Sequence, residues 1–330
     1  MGKNNIKNRM CNFNHLLIKV IFYVRIKKIE KYIEYFCHKK GGYMKEIRIN
    51  KNVVKRISEN GDINFFKKID YDMNVYYTKL SENIFDQMGV KYSKSTEYQE
   101  GSNRYLVTKD IQEDKELFLG KDITDNTELA LIKNDFRNFL ENKQINNENI
   151  KELWDDFLKM ILADIYTSNP DRHGKNWGIL IKDNIAQIAP NFDFDYTFSQ
   201  NEYAMKNIAQ AVENKENKVA NKVMKNYNIK KFTKYLKYTI DHVGLHIGSG
   251  KKFLVDMDSG LEKYSFKETS KYIQKELGPK EYKELINKVN IKDALPANTK
   301  ENEIFSLLAR MHSKSINEKI LNPNINEQEL

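Results

Sequence analysis

At 330 residues and 39.0 kDa the chain is long enough for two domains, each with a buried core. Its formal charge of +9 invites a nucleic-acid reading, but residues 1–43 hold ten Lys/Arg against two Glu, and the rest is near balance with 45 basic and 44 acidic residues. No basic face with interleaved aromatics stands in that body, so nucleic-acid binding is not expected there. Both cysteines, Cys11 and Cys37, lie in the extension, which excludes a disulfide framework or cysteine metal set and fits a reducing, cytoplasmic setting.

In chain order, the extension comes first. Its apolar stretch Leu16 to Val24 is interrupted by Lys19 and falls short of the roughly 20 apolar residues of a membrane span. The broken apolar run and the lack of a small-residue cleavage site argue against a secretory signal, although translocation without one stays open. An upstream in-frame start, a basic amphipathic arm and a docking helix are the readings of residues 1–43, the first being favoured. From Met44 the run M-K-E-I-R-I reads as a strand, and Ser58 to Asp62 as a turn that Gly61 can close. Ile63 to Ile69 is the next strand. Tyr76 to Met88 follows as a helix with Tyr77, Leu80, Ile84 and Met88 on one face. Arg104 to Lys109 is a further strand leading into Asp110 and Ile111.

Leu153, Trp154, Phe157, Leu158, Ile161, Leu162 and Ile165 recur at the spacing of a helix that buries one broad face. That helix must stop at Asn169-Pro170, because proline disfavours helical geometry in the residue before it. Asp171 to Asn176 is then a polar loop at the end of a buried scaffold. Trp177 to Lys182 and Ile185 to Ala189 form a hairpin about Asp183-Asn184, which carries Asp193 back beside the loop. The fold predicts that Asp171, Asn176 and Asp193 are neighbours. A carboxylate free of metal can take a proton from a hydroxyl, while an amide oxygen and a second carboxylate suit Mg²⁺ bridging nucleotide phosphates. Phosphoryl transfer needs that division of labour. Taken singly, Asp171 and Asn176 are also common turn residues, and Asp195 should face away from Asp193 in an extended segment.

The order Asp-Arg-His-x-x-Asn, followed by a hairpin and a Pro-x-Phe-Asp element, resembles the HipA-like kinases and, more distantly, the phosphatidylinositol 3-kinase-related enzymes. The short chain is most similar to the compact stand-alone members of the HipA-like family. The resemblance implies that Asp171 is the catalytic base and that Asn176 and Asp193 hold Mg²⁺. It places His173 near the transferring phosphate, where orienting the loop by a hydrogen bond is the alternative. It further calls for a strand lysine that grips the inner phosphates of ATP and a helix glutamate that orients it. Lys67 and Lys68 are the candidates, with Lys67 favoured and only one able to face the site, since strand neighbours point to opposite faces. Glu82 is the candidate glutamate, the bland alternative being a solvated helix residue. Lys109, Asp110 and Ile111 fall where the family binds adenine through its backbone. One part departs from the pattern: the long HipA proteins carry a Ser-x-x-Gly-Ala segment over the phosphates, where this chain has only Ser58-Glu59-Asn60-Gly61-Asp62.

Three later features carry no site. Gly244 to Lys252 lacks the glycine spacing of a phosphate loop, and Lys252 stands where Ser or Thr is needed. Asp256, Asp258 and Gly260 resemble the start of a calcium loop, but Lys267 occupies the position of its glutamate. His242 and His246 are one helical turn apart with no third ligand in the sequence near them. Residues 205–240 and 262–322 read as amphipathic helices.

The expectation is an α+β, two-lobed protein-kinase-like fold: a β-rich N-lobe over 44–114, a helical C-lobe over 115–330, and the basic extension 1–43. The expected activity is transfer of the γ-phosphoryl group of Mg-ATP to a Ser or Thr hydroxyl of a protein. The resemblance leaves room for an antitoxin-like partner. A lipid or small-molecule acceptor, and a silent nucleotide-binding module, are the alternatives.

Overall fold

The structure, a computed structural model, describes residues 45–70, 72–194, 197–198, 265–296 and 303–321. The extension 1–43, Asp195, the run from Gly244 to Lys252, Asp256 to Gly260, the His242/His246 pair and residues 205–240 lie outside the described residues. The described chain divides into two compact units: residues up to Lys68 with Thr96–Asp110, and Ile69–Ser95 with the residues from Ile111 onward.

The first unit is a five-stranded sheet of β1 (Lys45–Arg48), β2 (Val53–Ile57), β3 (Ile63–Lys68), β4 (Ser95–Glu100) and β5 (Asn103–Lys109), in the order β1-β2-β3-β5-β4. Its tight turns have local causes. The Asn50 side chain accepts from the backbone N–H groups of Asn52 and Val53 at 2.8 and 2.9 Å, which folds β2 back on β1. Gly61, at φ 89°, turns β2 into β3 with its N–H donating to Ser58 O at 3.0 Å. Asn50-Lys51-Asn52 carries neither glycine nor proline, so the sequence does not mark β2 off as a separate strand. On one face Phe66 meets Tyr98 and Tyr105 edge-on at 5.5 and 6.0 Å, and the Arg56 guanidinium lies 4.4 Å above its ring. Arg56 also pairs with Glu46 of β1 at 2.9 Å and Glu100 of β4 at 2.7 Å, so one side chain ties both edge strands to the middle.

The second unit contains α1 (Asp72–Gln87), β6 (Glu116–Leu119), α2 (Gly120–Ile123), α3 (Leu129–Asn142), α4 (Asn147–Tyr166), β7 (Gly178–Lys182), β8 (Ile185–Ile188), α5 (Phe266–Leu277), α6 (Pro279–Asn287), α7 (Ile291–Ala294) and α8 (Glu303–Ile316), which runs on as a π-helical turn over Asn317–Leu321. β6, β7 and β8 form an antiparallel sheet in that order. Residues 69–95, assigned from sequence to the N-lobe, pack within this unit, because Tyr76, Tyr77, Leu80, Ile84, Phe85 and Met88 of α1 join its core. No described helix is long and apolar enough to cross a membrane.

α4 is the centre of that core. Asn146 caps it by accepting from Asn149 N at 2.7 Å, and every residue from Met160 to Tyr166 is buried. Trp154 stacks on Phe157 at 5.2 Å, and Phe157 meets Trp177 at 4.7 Å just ahead of β7. Trp177 in turn lies against Gly120, whose N–H donates to Trp177 O at 2.9 Å. A Cβ on Gly120 would come within 2.1 Å of the indole. α8 joins the core through Tyr76–Ser306 and Tyr166–Ser313 hydroxyl pairs at 2.7 and 2.6 Å, and through the fully buried His312.

Two outcomes follow from this packing. Gly120→Ala should lower unfolding free energy by about 2–3 kcal/mol in urea titration, because a packed indole cannot move aside without strain. Burial holds the His312 imidazole down at about 4 from its usual 6.5. The unfolded chain therefore takes up a proton between those values that the native chain refuses. Stability should be unaffected above pH 6.5 and fall by up to about 3 kcal/mol on descent to pH 4. Urea midpoints across that range should show this component of the slope in the wild type and not in His312→Phe.

Candidate active site

The site begins where α4 ends. Ser168 N donates to Ile165 O at 3.0 Å and Asn169 N to Asp164 O at 2.8 Å, the paired bonds of a Schellman termination. Ser168 takes the left-handed conformation, φ 48°, that this motif requires. The buried Asn169 side chain then points both ways: its Nδ2 donates to Asp164 Oδ1 at 2.8 Å, and its Oδ1 accepts from Asp171 N at 3.1 Å. Pro170 blocks any continuation of the helix. The loop therefore leaves the scaffold in one direction.

Arg172 holds the loop from within. Arg172 and Asp164 are both fully buried, and they form a two-pronged pair: Nε to Oδ2 at 2.7 Å and Nη2 to Oδ1 at 2.9 Å. Nη1 donates to Asn176 O at 2.7 Å and to Phe192 O at 2.9 Å. One guanidinium thus joins the end of α4, the residue predicted to bind metal on the loop, and the residue next to Asp193. The hairpin supplies the return: Asp183 and Asn184, at φ 51° and 60°, make the two left-handed turn positions that match strand twist. Asn191 is fixed by accepting from Ser93 N at 2.7 Å and donating its N–H to Lys91 O at 2.9 Å.

Within this frame Asn176 Nδ2 donates to Asp171 O at 2.9 Å, and Asn176 N donates to His173 O at 2.8 Å. The amide nitrogen being so committed, the carbonyl oxygen is the atom this side chain can offer a cation. Asp193 is exposed and sits at φ 62°, a left-handed backbone that a non-glycine residue adopts at a cost of about 1–2 kcal/mol. His173 Nδ1 accepts from Lys175 N at 3.1 Å, which leaves the ring proton on Nε2, 3.9 Å from Asp171 Oδ2. Both side chains are mostly covered, at 25% and 15% exposure. α2 closes over the loop from the far side: Lys121 N donates to Gly174 O at 2.7 Å, and a Cβ on Gly174 would meet that nitrogen at 2.7 Å. The donors that fit a metal are an amide oxygen and a carboxylate, the hard set that Mg²⁺ accepts alongside phosphate and water.

Glu82 is buried, at 3% exposure, and is not a solvated helix residue. Its Oε2 accepts from Lys79 Nζ at 3.0 Å and its Oε1 from Ser95 N at 2.8 Å and from Ser95 Oγ. Lys67 and Lys68 lie in the first unit on opposite faces of β3. Lys67, half-buried, pairs across the sheet with Val53 and Leu106; Lys68, exposed, pairs with Tyr105 on the Phe66 and Arg56 face. Lys109 ends β5 opposite Asn64, and Asp110 N donates to Ile63 O at 2.9 Å; Ile111 begins the second unit's next segment.

The sequence alone assigns no role in the site to the side chains of Asp164, Asn169 and Arg172. A signal existed: Asp164 is the one charged residue in the buried run Met160–Tyr166, seven positions after Phe157 on the apolar stripe, and a charge there needs a partner. Asp164→Asn should cost about 3–5 kcal/mol of stability in denaturant titration, because it strands a buried guanidinium while keeping the side-chain shape.

No family model matches this sequence, and no curated protein does. Among solved structures it is similar to the Helicobacter pylori proinflammatory kinase CtkA, with a TM-score of 0.51 and 18% identity over 83% of this chain and 93% of that one. HipA of Shewanella oneidensis MR-1, from a toxin–antitoxin complex with HipB and operator DNA, gives a TM-score of 0.47 and 11% identity over 84% of this chain and 66% of that one. At such identity the likeness to the Helicobacter enzyme is one of architecture. The chain shares the α+β kinase-like fold of the Helicobacter enzyme.

Proposed function

We propose that this chain is a Mg²⁺-dependent kinase that transfers the γ-phosphoryl group of ATP to a Ser or Thr hydroxyl of a protein. The observation that carries this reading is the buried Arg172 fork, which sets Asn176 and the Asp193 segment against the loop bearing Asp171. Phosphoryl transfer depends mainly on positioning and charge neutralisation, and this is a device for positioning.

In the proposed reaction Asp171 accepts the proton of the acceptor hydroxyl as its oxygen bonds to the γ-phosphorus. The bond from that phosphorus to the β,γ-bridging oxygen breaks, and ADP leaves. His173, whose Nε2 lies 3.9 Å from Asp171 Oδ2, is assigned a place near the transferring phosphate. Asn176 and Asp193 would hold Mg²⁺, which when bound neutralises charge on the β- and γ-phosphates. Lys67 is assigned to the inner phosphates in preference to Lys68, since its face of β3 is free of the Arg56–Phe66 cluster. Glu82 is assigned to orient that lysine, and Lys109, Asp110 and Ile111 to the adenine edge. The resemblance implies a protein acceptor and leaves room for an antitoxin-like partner, and the placement of Cys11 and Cys37 fits a cytoplasmic setting.

Incubation with labelled ATP and Mg²⁺ tests the reading. Asp171→Asn should lower phosphate transfer by at least about a hundredfold while nucleotide still binds. Asp193→Asn should raise the Mg²⁺ concentration needed for half-maximal rate. Nucleotide binding with no transfer by the wild type would instead identify a silent binding module, and transfer to lipid or a small metabolite but not to protein would move the acceptor class.

A further inference from the structure

We propose that His312 is a positioning residue for the loop that carries Asp171, acting from the last described helix, α8, through Ser168 and Phe198. The inference rests on the kinase reading for its consequence in rate, though not for its geometry.

Ser168 stands where a Schellman termination ordinarily has glycine, because the left-handed backbone brings a Cβ close to the following carbonyl. Retaining serine at φ 48° sacrifices stability unless the hydroxyl is needed. That hydroxyl lies 3.0 Å from His312 Nε2, and both residues are fully buried. The same imidazole meets the Phe198 ring edge-on at 4.8 Å. Phe198 is itself left-handed, at φ 55°, and its N–H donates to Thr167 O at 2.7 Å, one residue before Ser168. Tyr77 of α1 stacks on Phe198 at 4.9 Å.

Two unfavourable backbone conformations therefore converge on one side chain. Ser168 lies three residues before the proposed base, and Phe198 five residues after the proposed metal carboxylate. Such conformations persist only where the surroundings over-determine them. The imidazole stays uncharged at neutral pH, so the contact is a fixed brace. The neighbouring Tyr166 hydroxyl bonds Ser313 Oγ at 2.6 Å and accepts from Asn317 Nδ2 at 3.2 Å, which holds α8 and its π-helical turn against the end of α4 and keeps His312 in place.

The test combines His312→Phe, His312→Gln and Ser168→Gly in the full chain at neutral pH. His312→Phe, which keeps the ring, should lower kcat about tenfold per folded molecule with KM for ATP changed less than about twofold. It should also speed amide hydrogen exchange over 169–176 by about tenfold. His312→Gln, which can still reach the Ser168 hydroxyl, should recover most of both. In a Ser168→Gly background the strained exit is relieved and the hydroxyl absent, so adding His312→Phe should change kcat and loop exchange much less. The proposal is overturned if His312→Phe lowers thermal stability while leaving both quantities within about twofold, or if the two substitutions act independently. Should the wild type show no transfer at all, the kinase reading falls, and the exchange measurement still decides whether His312 braces the loop.

Discussion

One buried guanidinium organises the candidate site. Arg172 satisfies Asp164 at the end of α4 and, with its remaining nitrogen, the carbonyl oxygens of Asn176 and Phe192. A charge with no exposure to water is tolerable only when fully partnered, so these bonds are mutually enforcing. Losing any one leaves a costly group behind. The loop before β7 and the segment after β8 are held in register by this constraint at the open end of the hairpin.

Around that tie the chain places backbone where side chains would intrude. Gly120 admits the Trp177 indole, Gly174 lets α2 bond directly to the loop, and a Cβ on Gly178 would stand 2.5 Å from Phe118 O. The loop is therefore clasped on one side by the arginine and on the other by the β6–α2 segment. Left-handed backbone at Ser168, Asp193 and Phe198 is concentrated near the same place. Such local cost is sustainable because α4 lies in a dense aromatic core and cannot shift to relieve it.

Elements whose cause is local were readable in advance. α4 follows from its apolar spacing, its end from Asn169-Pro170, and the hairpin from Asp183-Asn184 between two short apolar runs. The apolar face of α1 buries as its periodicity indicates, with Leu80 and Ile84 fully covered. Glu82 was less legible. Its burial depends on Ser95, which meets it only after the chain has turned back beyond Met88, and no pattern in the helix announces that encounter. The division of the chain was also hard to see, since α1 follows β3 directly yet spends its apolar face in the other unit.

By itself the sequence determined the loop-hairpin-loop unit from Asn169 to Asp193, the apolar helix ahead of it, and the residue types suited to binding a cation and taking a proton. Those properties reside in neighbours along the chain, where spacing and backbone preference act directly. Only the tertiary structure decided that Arg172 is a buried clamp, that Glu82 faces inward, and that His312, far along the chain, touches both Ser168 and Phe198. The physical reason is that desolvation and hydrogen-bond partnering are set by which surfaces meet on folding, and a residue's name does not carry that information.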